Sequence, residues 1–211
     1  MTGHPRPLPR VHAVTDASVL ALADLGVRAA ALAAAGPALA LHARDRALGG
    51  KALAALAARF VALARAPEAA VFVSGRPDVA AAVGAQGVQL AAGDLAPADA
   101  RRVFPGGWIG RSVHSRAEAE AAAAEGADFL LLGSVYATAS HPERPPVGLE
   151  LLRASCALGL PVIAIGGITP ERAPEVKAAG AWGVAAIRAL WYAPDPARAA
   201  LDLLRPWLEE W

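Results

Sequence analysis

The strongest constraint on this chain is its rhythm, in which short apolar runs alternate with alanine-rich segments of helical length from one end to the other. The runs predict strands over 9–15, 38–42, 70–73, 87–90, 108–113, 129–132, 161–165 and 183–187. The segments between and after them predict helices over 18–35, 50–64, 77–83, 97–103, 116–125, 149–157, 170–179 and 196–208. Eight strand–helix pairs in 211 residues predict a parallel sheet closed into a (βα)8 TIM barrel, one domain over residues 1–211. Hydrophobic residues make up 55% of the chain, as expected of strands buried on both faces. Gly-Ala pairs at Gly84-Ala85, Gly126-Ala127 and Gly180-Ala181 suit helix C-caps that turn straight into the next strand. A doubly wound open sheet would need a glycine-rich fingerprint after its first strand, and Thr15-Asp16-Ala17-Ser18 is not one.

Charge and composition remove several classes of function. The formal net charge is +1, and no run of Lys or Arg exceeds two, so no phosphate-tracking face for nucleic acid is expected. A lone cysteine, Cys156, cannot form an internal disulfide and has no metal-ligand spacing around it, which fits a reducing, cytoplasmic setting. The N-terminal stretch carries three prolines before Arg10 and no signal-like apolar run, and the later alanine-rich segments are interrupted, so neither secretion nor a membrane span is expected. The two lysines, Lys51 and Lys177, fall inside predicted helices, which argues against a Schiff-base lysine at a strand end.

In such a barrel the site lies in the loops after the strands. Here those loops carry Thr15-Asp16, Arg44-Asp45-Arg46, Ser74-Gly75-Arg76, Asp94, His114-Ser115, the long loop 133–148, Gly166-Gly167 and Arg188. Gly166-Gly167 before a helix, together with Ile187-Arg188 after the eighth strand, predicts a phosphate cradle in preference to a tight turn alone. The histidines are the natural proton carriers near neutral pH. His4 lies in the tail, while His12 and His42 fall within strands and read best as core residues. His114 divides evenly between site and scaffold, and His141, in a sixteen-residue loop, is the favoured functional one. Of three acidic groups on the rim, Asp16 can cap a helix and Asp45 can pair with Arg44 or Arg46, which leaves Asp94 as the carboxylate suited to Mg²⁺.

Seven stretches taken in order resemble one family: V-H-A-V-T-D (11–16), H-A-R-D-R (42–46), V-S-G-R-P-D-V-A (73–80), G-V-Q-L (87–90), I-G-R-S-V-H-S (109–115), P-V-G-L-E (146–150) and P-V-I-A-I-G-G-I-T-P (161–170). The chain is similar, over nearly its full length, to the thiamine phosphate synthase and TenI (thiazole tautomerase) family. That resemblance implies a barrel holding a thiazole phosphate at Thr138, Ser140, Gly167, Ile187 and Arg188, with Arg188 where a serine is usual. It also separates two branches. The synthase branch joins the thiazole phosphate to a pyrimidine diphosphate with Mg²⁺, using an Asn-Asp pair, a further Asp, a Ser and a loop Lys. Here Ser74-Gly75 replaces the pair and His141 replaces the lysine, while Asp94 and Ser112 remain. The loss of a carboxylate and a cation argues against the synthase. The TenI branch aromatises a carboxythiazole phosphate by proton transfer without metal, through a histidine placed where this chain has Ser134.

The expectation is therefore a metal-free tautomerase, an isomerase of thiamine biosynthesis needing no cofactor. Gly166, Gly167, Ile187 and Arg188 would anchor phosphate, Arg44 and Arg46 a carboxylate, with Ser112, Thr138 and Ser140 at the ligand and the proton carried by His141, His114 or Ser134. The runner-up is a Mg²⁺-dependent synthase using Asp94, and the third possibility is a regulatory binder of thiazole phosphate without catalysis. Trp191, Trp207 and Trp211 with Tyr192 could form a homodimer seam, or pack the last helix onto the barrel.

Overall fold

In the computed structural model, residues 6–138 and 145–208 are described. Eight parallel strands close on themselves: β1 (Val11–Val14), β2 (Leu39–Ala43), β3 (Ala70–Ser74), β4 (Gly87–Leu90), β5 (Trp108–Val113), β6 (Phe129–Gly133), β7 (Val162–Ile165) and β8 (Gly183–Ala186). Closure is direct, since β1 pairs with β8 in the register Val11↔Val184, His12↔Ala185 and Ala13↔Ala186. The helices are α1 (Ala17–Leu20), α2 (Leu25–Ala33), α3 (Gly50–Ala64), α4 (Pro77–Val83), α5 (Pro97–Val103), α6 (Arg116–Ala124), α7 (Gly148–Cys156), α8 (Ala173–Ala178), α9 (Arg188–Trp191) and α10 (Pro196–Leu204). The (βα)8 expectation holds, and both lysines lie in helices, Lys51 in α3 and Lys177 in α8.

Three boundaries differ from expectation for local reasons. The segment predicted as one helix over 18–35 is two, because Asp16 caps α1 and Asp24 starts α2, where its carboxylate grips Arg28 Nε at 2.9 and 3.0 Å. The last helix leaves α geometry at Leu204 and tightens into a 3-10 turn at Arg205–Trp207, since Pro206 offers no N–H to continue it. The short helix α9 follows β8 directly and was not expected.

Outward-facing strand residues such as Leu39, Leu41, Val71 and Val73 meet one stripe of each helix. On α3 that stripe is Leu53, Ala57, Phe60 and Ala64, the spacing that puts residues on one helical face. Phe60 is fully buried and stacks on Trp191 at 6.1 Å between centroids. Trp191 and Trp207 are thus buried within the chain itself, leaving Tyr192 as the exposed aromatic of that group among the described residues; Trp211 lies outside them.

The barrel interior is aromatic. Phe72 and Phe129 meet edge to face at 5.7 Å, and the neighbouring strands carry Gly87 and Gly110, where a Cβ would collide with the Phe72 and Phe129 rings respectively. The Phe72 and Phe129 rings on β3 and β6 are accommodated by the glycines beside them, Gly87 on β4 and Gly110 on β5. His12 and His42 sit in the same layer, both buried, 2.8 Å apart from His12 Nδ1 to His42 Nε2. His12 Nε2 lies 3.1 Å from the Pro9 carbonyl. A carbonyl only accepts, so His12 Nε2 carries the proton, its Nδ1 accepts from His42 Nε2–H, and His42 Nδ1 is left as a bare acceptor. Burial holds His12 near about 4 and pushes His42 down as well, so both rings are neutral at pH 7.

At the far end of β5, Ser115 caps α6 by accepting Glu118 N–H at 3.2 Å, and Glu118 reaches back to accept His114 N–H at 2.8 Å. Ser115→Ala should cost about 1 kcal/mol of stability, read as a lowered denaturant midpoint with unchanged slope.

Candidate functional site

Several loops at the C-terminal ends of the strands are fixed by hydrogen bonds among the described residues. After β2, the buried Thr15 hydroxyl accepts Arg44 N–H at 2.9 Å and lies 2.7 Å from Arg44 O and 3.0 Å from His42 O. This ties the loop after β2 to the end of β1 and holds Arg44 half-buried, while Arg46 is exposed. Burial and the nearby Arg46 charge push the Arg44 guanidinium below its ordinary value, against Asp16 and Asp45. Two adjacent cations on a partly desolvated rim have the chemistry suited to an anion. Asp16 is occupied as a helix cap, accepting Val19 N–H at 3.0 Å, and Asp45 Oδ1 accepts Ala47 N–H at 2.7 Å within its own turn.

After β3 and β4 the mouth becomes neutral and polar. By alternation from Phe72, Gly87 and Gly110, the side chains of Ser74, Gln89 and Ser112 point inward. Gln89 Nε2 donates to Ser112 Oγ at 3.1 Å, whereas Gln89 Oε1 and Ser74 Oγ are buried without partners among the described residues. An unpaired buried polar atom costs about 1–3 kcal/mol, so such atoms at a barrel mouth mark where a polar ligand would be held. Asp94 Oδ2 accepts Ala91 N–H at 2.7 Å, and a Cβ on Gly75 would stand 3.0 Å from Asp94 Oδ1. The missing side chain at Gly75 therefore opens space in front of that carboxylate. Arg111 secures the same loop by donating to Ala91 O, Leu95 O and Ala92 O at 2.9, 3.1 and 3.3 Å. Among the described residues no group of three or more His, Cys, Asp or Glu assembles. A single carboxylate oxygen is nevertheless a fitting ligand for Mg²⁺ when a diphosphate supplies the others, since that ion usually keeps one or two carboxylates plus phosphate oxygens and water.

The loops after β6 and β7 are stitched together: Val135 N–H donates to Ile165 O at 2.8 Å and Tyr136 N–H to Gly166 O at 3.0 Å. Gly166 and Gly167 have φ of +97° and +65°, a region closed to most side chains, and a Cβ on Gly166 would lie 2.5 Å from Ser134 Cβ and 2.8 Å from Ser134 Oγ. Ser134 is thereby placed against the Gly166-Gly167 turn. Ile187 precedes α9 and Arg188 is its first residue, and the register Ile165↔Ala185 makes the segment after β8 the neighbour of the one after β7. Thr138 is the last residue described before the loop tip; Ser140 and His141 lie outside the described residues. His114 faces the rim with Nδ1 3.2 Å from Glu118 Oε2, a tie to its own helix.

The structure thus brings Ser134, Gly166 and Gly167 together, places Ser112 against Gln89, and fixes Arg44 beside Arg46. Sequence reasoning missed Gln89 as the partner of Ser112, and missed Tyr136 and Arg172, which crowd Gly167, with Glu175 behind Tyr136. Gln89 carried a signal, as a polar residue in an otherwise apolar strand; Tyr136 and Arg172 in loops and Glu175 in α8 stand at positions that no local pattern distinguishes.

The family model described as thiamine monophosphate synthase matches residues 11–190. A thiamine-phosphate synthase of Thermus thermophilus is 45% identical over 151 residues, 71% of this chain and 73% of that protein. One from Methanoculleus marisnigri is 44% identical over 177 residues, covering 82% of this chain and 84% of the other. The solved thiamine phosphate pyrophosphorylase of Pyrococcus furiosus superposes with a TM-score of 0.81 at 34% identity, covering 95% of this chain and 96% of that one. These relatives are named for the synthase, which overturns the expectation of a TenI-type tautomerase and isomerase. The physical reason is at Ser134: the residue standing where the tautomerase histidine would be is a hydroxyl packed on Gly166, without a titration near neutral pH. The chain belongs to the thiamine monophosphate synthase family.

Proposed function

We propose that this chain is a transferase that joins a thiazole phosphate to a hydroxymethylpyrimidine diphosphate, giving thiamine phosphate and diphosphate. In that reaction the thiazole ring nitrogen attacks the pyrimidine methylene carbon, a C–N bond forms as the C–O bond breaks, and the electron pair leaves on diphosphate. No proton need move. What the site must supply is orientation and compensation of the charge that builds on the leaving group.

The observation that carries this reading is the lining of the mouth, with Ser74 Oγ and Gln89 Oε1 buried without partners among the described residues, Gln89 Nε2 on Ser112 Oγ, and the charges of Arg44 and Arg46 close together on the adjoining rim. Gly166, Gly167, Ile187 and Arg188 hold the thiazole phosphate, with Ser134 and Thr138 beside it. Ser74, Gln89 and Ser112 present hydrogen-bonding atoms to the neutral pyrimidine ring. Arg44 and Arg46 face the diphosphate, a role their pairing suits better than the carboxylate first expected for them. Mg²⁺, held by Asp94 together with diphosphate oxygens, would neutralise the leaving group.

Asp94→Asn keeps the shape of the loop and removes the anionic ligand. It should lower the Mg²⁺-supported coupling rate by roughly two orders of magnitude, measured as thiamine phosphate formed by liquid chromatography. An unchanged rate and unchanged Mg²⁺ dependence would remove Asp94 from the site and the metal from this reading.

A further inference from the structure

The two loops assigned to the thiazole phosphate come from different strands, and a cluster outside the site decides how they meet. Arg172, in the turn before α8, donates from Nη1 to Gly167 O at 2.6 Å and lies over the Tyr136 ring, 4.5 Å from its centroid. Tyr136 donates its hydroxyl to Glu175 Oε1 on α8 at 2.6 Å. Its phenol is pushed up to about 12 by burial and the Glu175 carboxylate, so it stays a protonated donor across the working pH range. Gly167 is enclosed by these groups: a Cβ there would lie 2.7 Å from Ala137 O, 2.7 Å from Tyr136 Cβ and 3.1 Å from Arg172 Nη1.

A guanidinium on the Gly167 carbonyl fixes the plane of the Gly167–Ile168 peptide, and the same guanidinium, stacked on Tyr136, fixes the segment that leads through Ala137 into Thr138. We propose that Arg172, with Tyr136 and Glu175, is a positioning clamp that sets the separation of the Gly167 loop from Thr138 and so pre-assembles the phosphate site. This rests on the phosphate assignment made above. None of the three touches the reacting atoms. Their effect is on the affinity for the phosphorylated end of the ligand, because pre-organised donors do not have to be ordered when the anion arrives.

The test is calorimetric binding of two probes, the hydroxyethylthiazole phosphate and the same thiazole alcohol without phosphate, to wild type, Arg172→Met, Arg172→Lys and Tyr136→Phe. Arg172→Met should bind the phosphorylated probe about tenfold more weakly and the alcohol unchanged, with KM for the phosphate raised by the same factor and kcat at saturation within about twofold. Arg172→Lys, which keeps a donor, should recover part of the loss. Tyr136→Phe should show a smaller loss confined to the phosphorylated probe, and it carries the test if Arg172→Met does not fold. Equal losses for both probes, or wild-type binding in all variants, would overturn the clamp. A wild type that does not distinguish the two probes would overturn the phosphate assignment, and the clamp with it. Coupling activity is needed only for KM and kcat and not for the two binding readouts, so failure of the transferase reading is seen separately.

Discussion

Acidification from pH 7 to pH 4 is expected to remove about 3 kcal/mol of folding stability through His12 alone, with His42 adding in the same direction. The native ring is held near about 4 by full burial, whereas in the unfolded chain it titrates near 6.5. Between those values the unfolded state binds the extra proton. Stability is therefore fully present above pH 6.5 and falls as the pH drops toward 4. Burial is the cause, against the Pro9 carbonyl, which favours the protonated His12; in addition, a proton added to His42 Nδ1 has no acceptor among the described residues, and one added to His12 Nδ1 would confront the N–H of His42. Urea midpoints taken at half-unit steps should fall already between pH 6.5 and 5, before most carboxylates begin to protonate. A flat profile over that window would mean that the pair is hydrated or charged, and that the tautomer assignment is wrong.

Arg44→Ala is expected to reduce kcat/KM for coupling by roughly 100- to 1,000-fold, the scale seen when one pre-organised charge-stabilising donor is removed. Its backbone is held on both sides by the Thr15 hydroxyl, so truncation of the side chain removes the guanidinium without releasing the loop. Arg44→Lys should recover little, because a point charge does not reproduce a planar fork. The loss should appear with saturating thiazole phosphate and persist at any Mg²⁺ concentration. A variant that loses affinity for the thiazole phosphate instead would place Arg44 on the wrong half of the site.

The barrel was legible in the sequence because its period is: apolar runs of strand length separated by helices leave few other topologies, and glycines at Gly84, Gly126 and Gly180 take φ of +70°, +84° and +98° where C-caps were expected. The turn at Gly166-Gly167 was legible for a related reason, since a Gly-Gly pair before a helix is a local pattern, and both residues take positive φ. The activity was not. Its assignment depended on reading Ser74-Gly75 as a lost metal site, whereas in the fold Gly75 opens space before the Asp94 carboxylate, a relation between two strands that no linear motif displays. Likewise His114 and Ser134 stood out as strand-end residues, yet the direction of each side chain is set by a contact made elsewhere, with Glu118 and with Gly166. The clamp of Arg172, Tyr136 and Glu175 was invisible because its members come from two loops and a helix that only closure of the barrel brings together.

The central claim is tested most directly by incubating the wild-type chain with thiazole phosphate, hydroxymethylpyrimidine diphosphate and Mg²⁺ while following phosphorus NMR. Diphosphate and thiamine phosphate should appear together in a one-to-one ratio, in amounts exceeding the protein many times over. Diphosphate without thiamine phosphate, or neither product under conditions where the thiazole phosphate is bound, would contradict it.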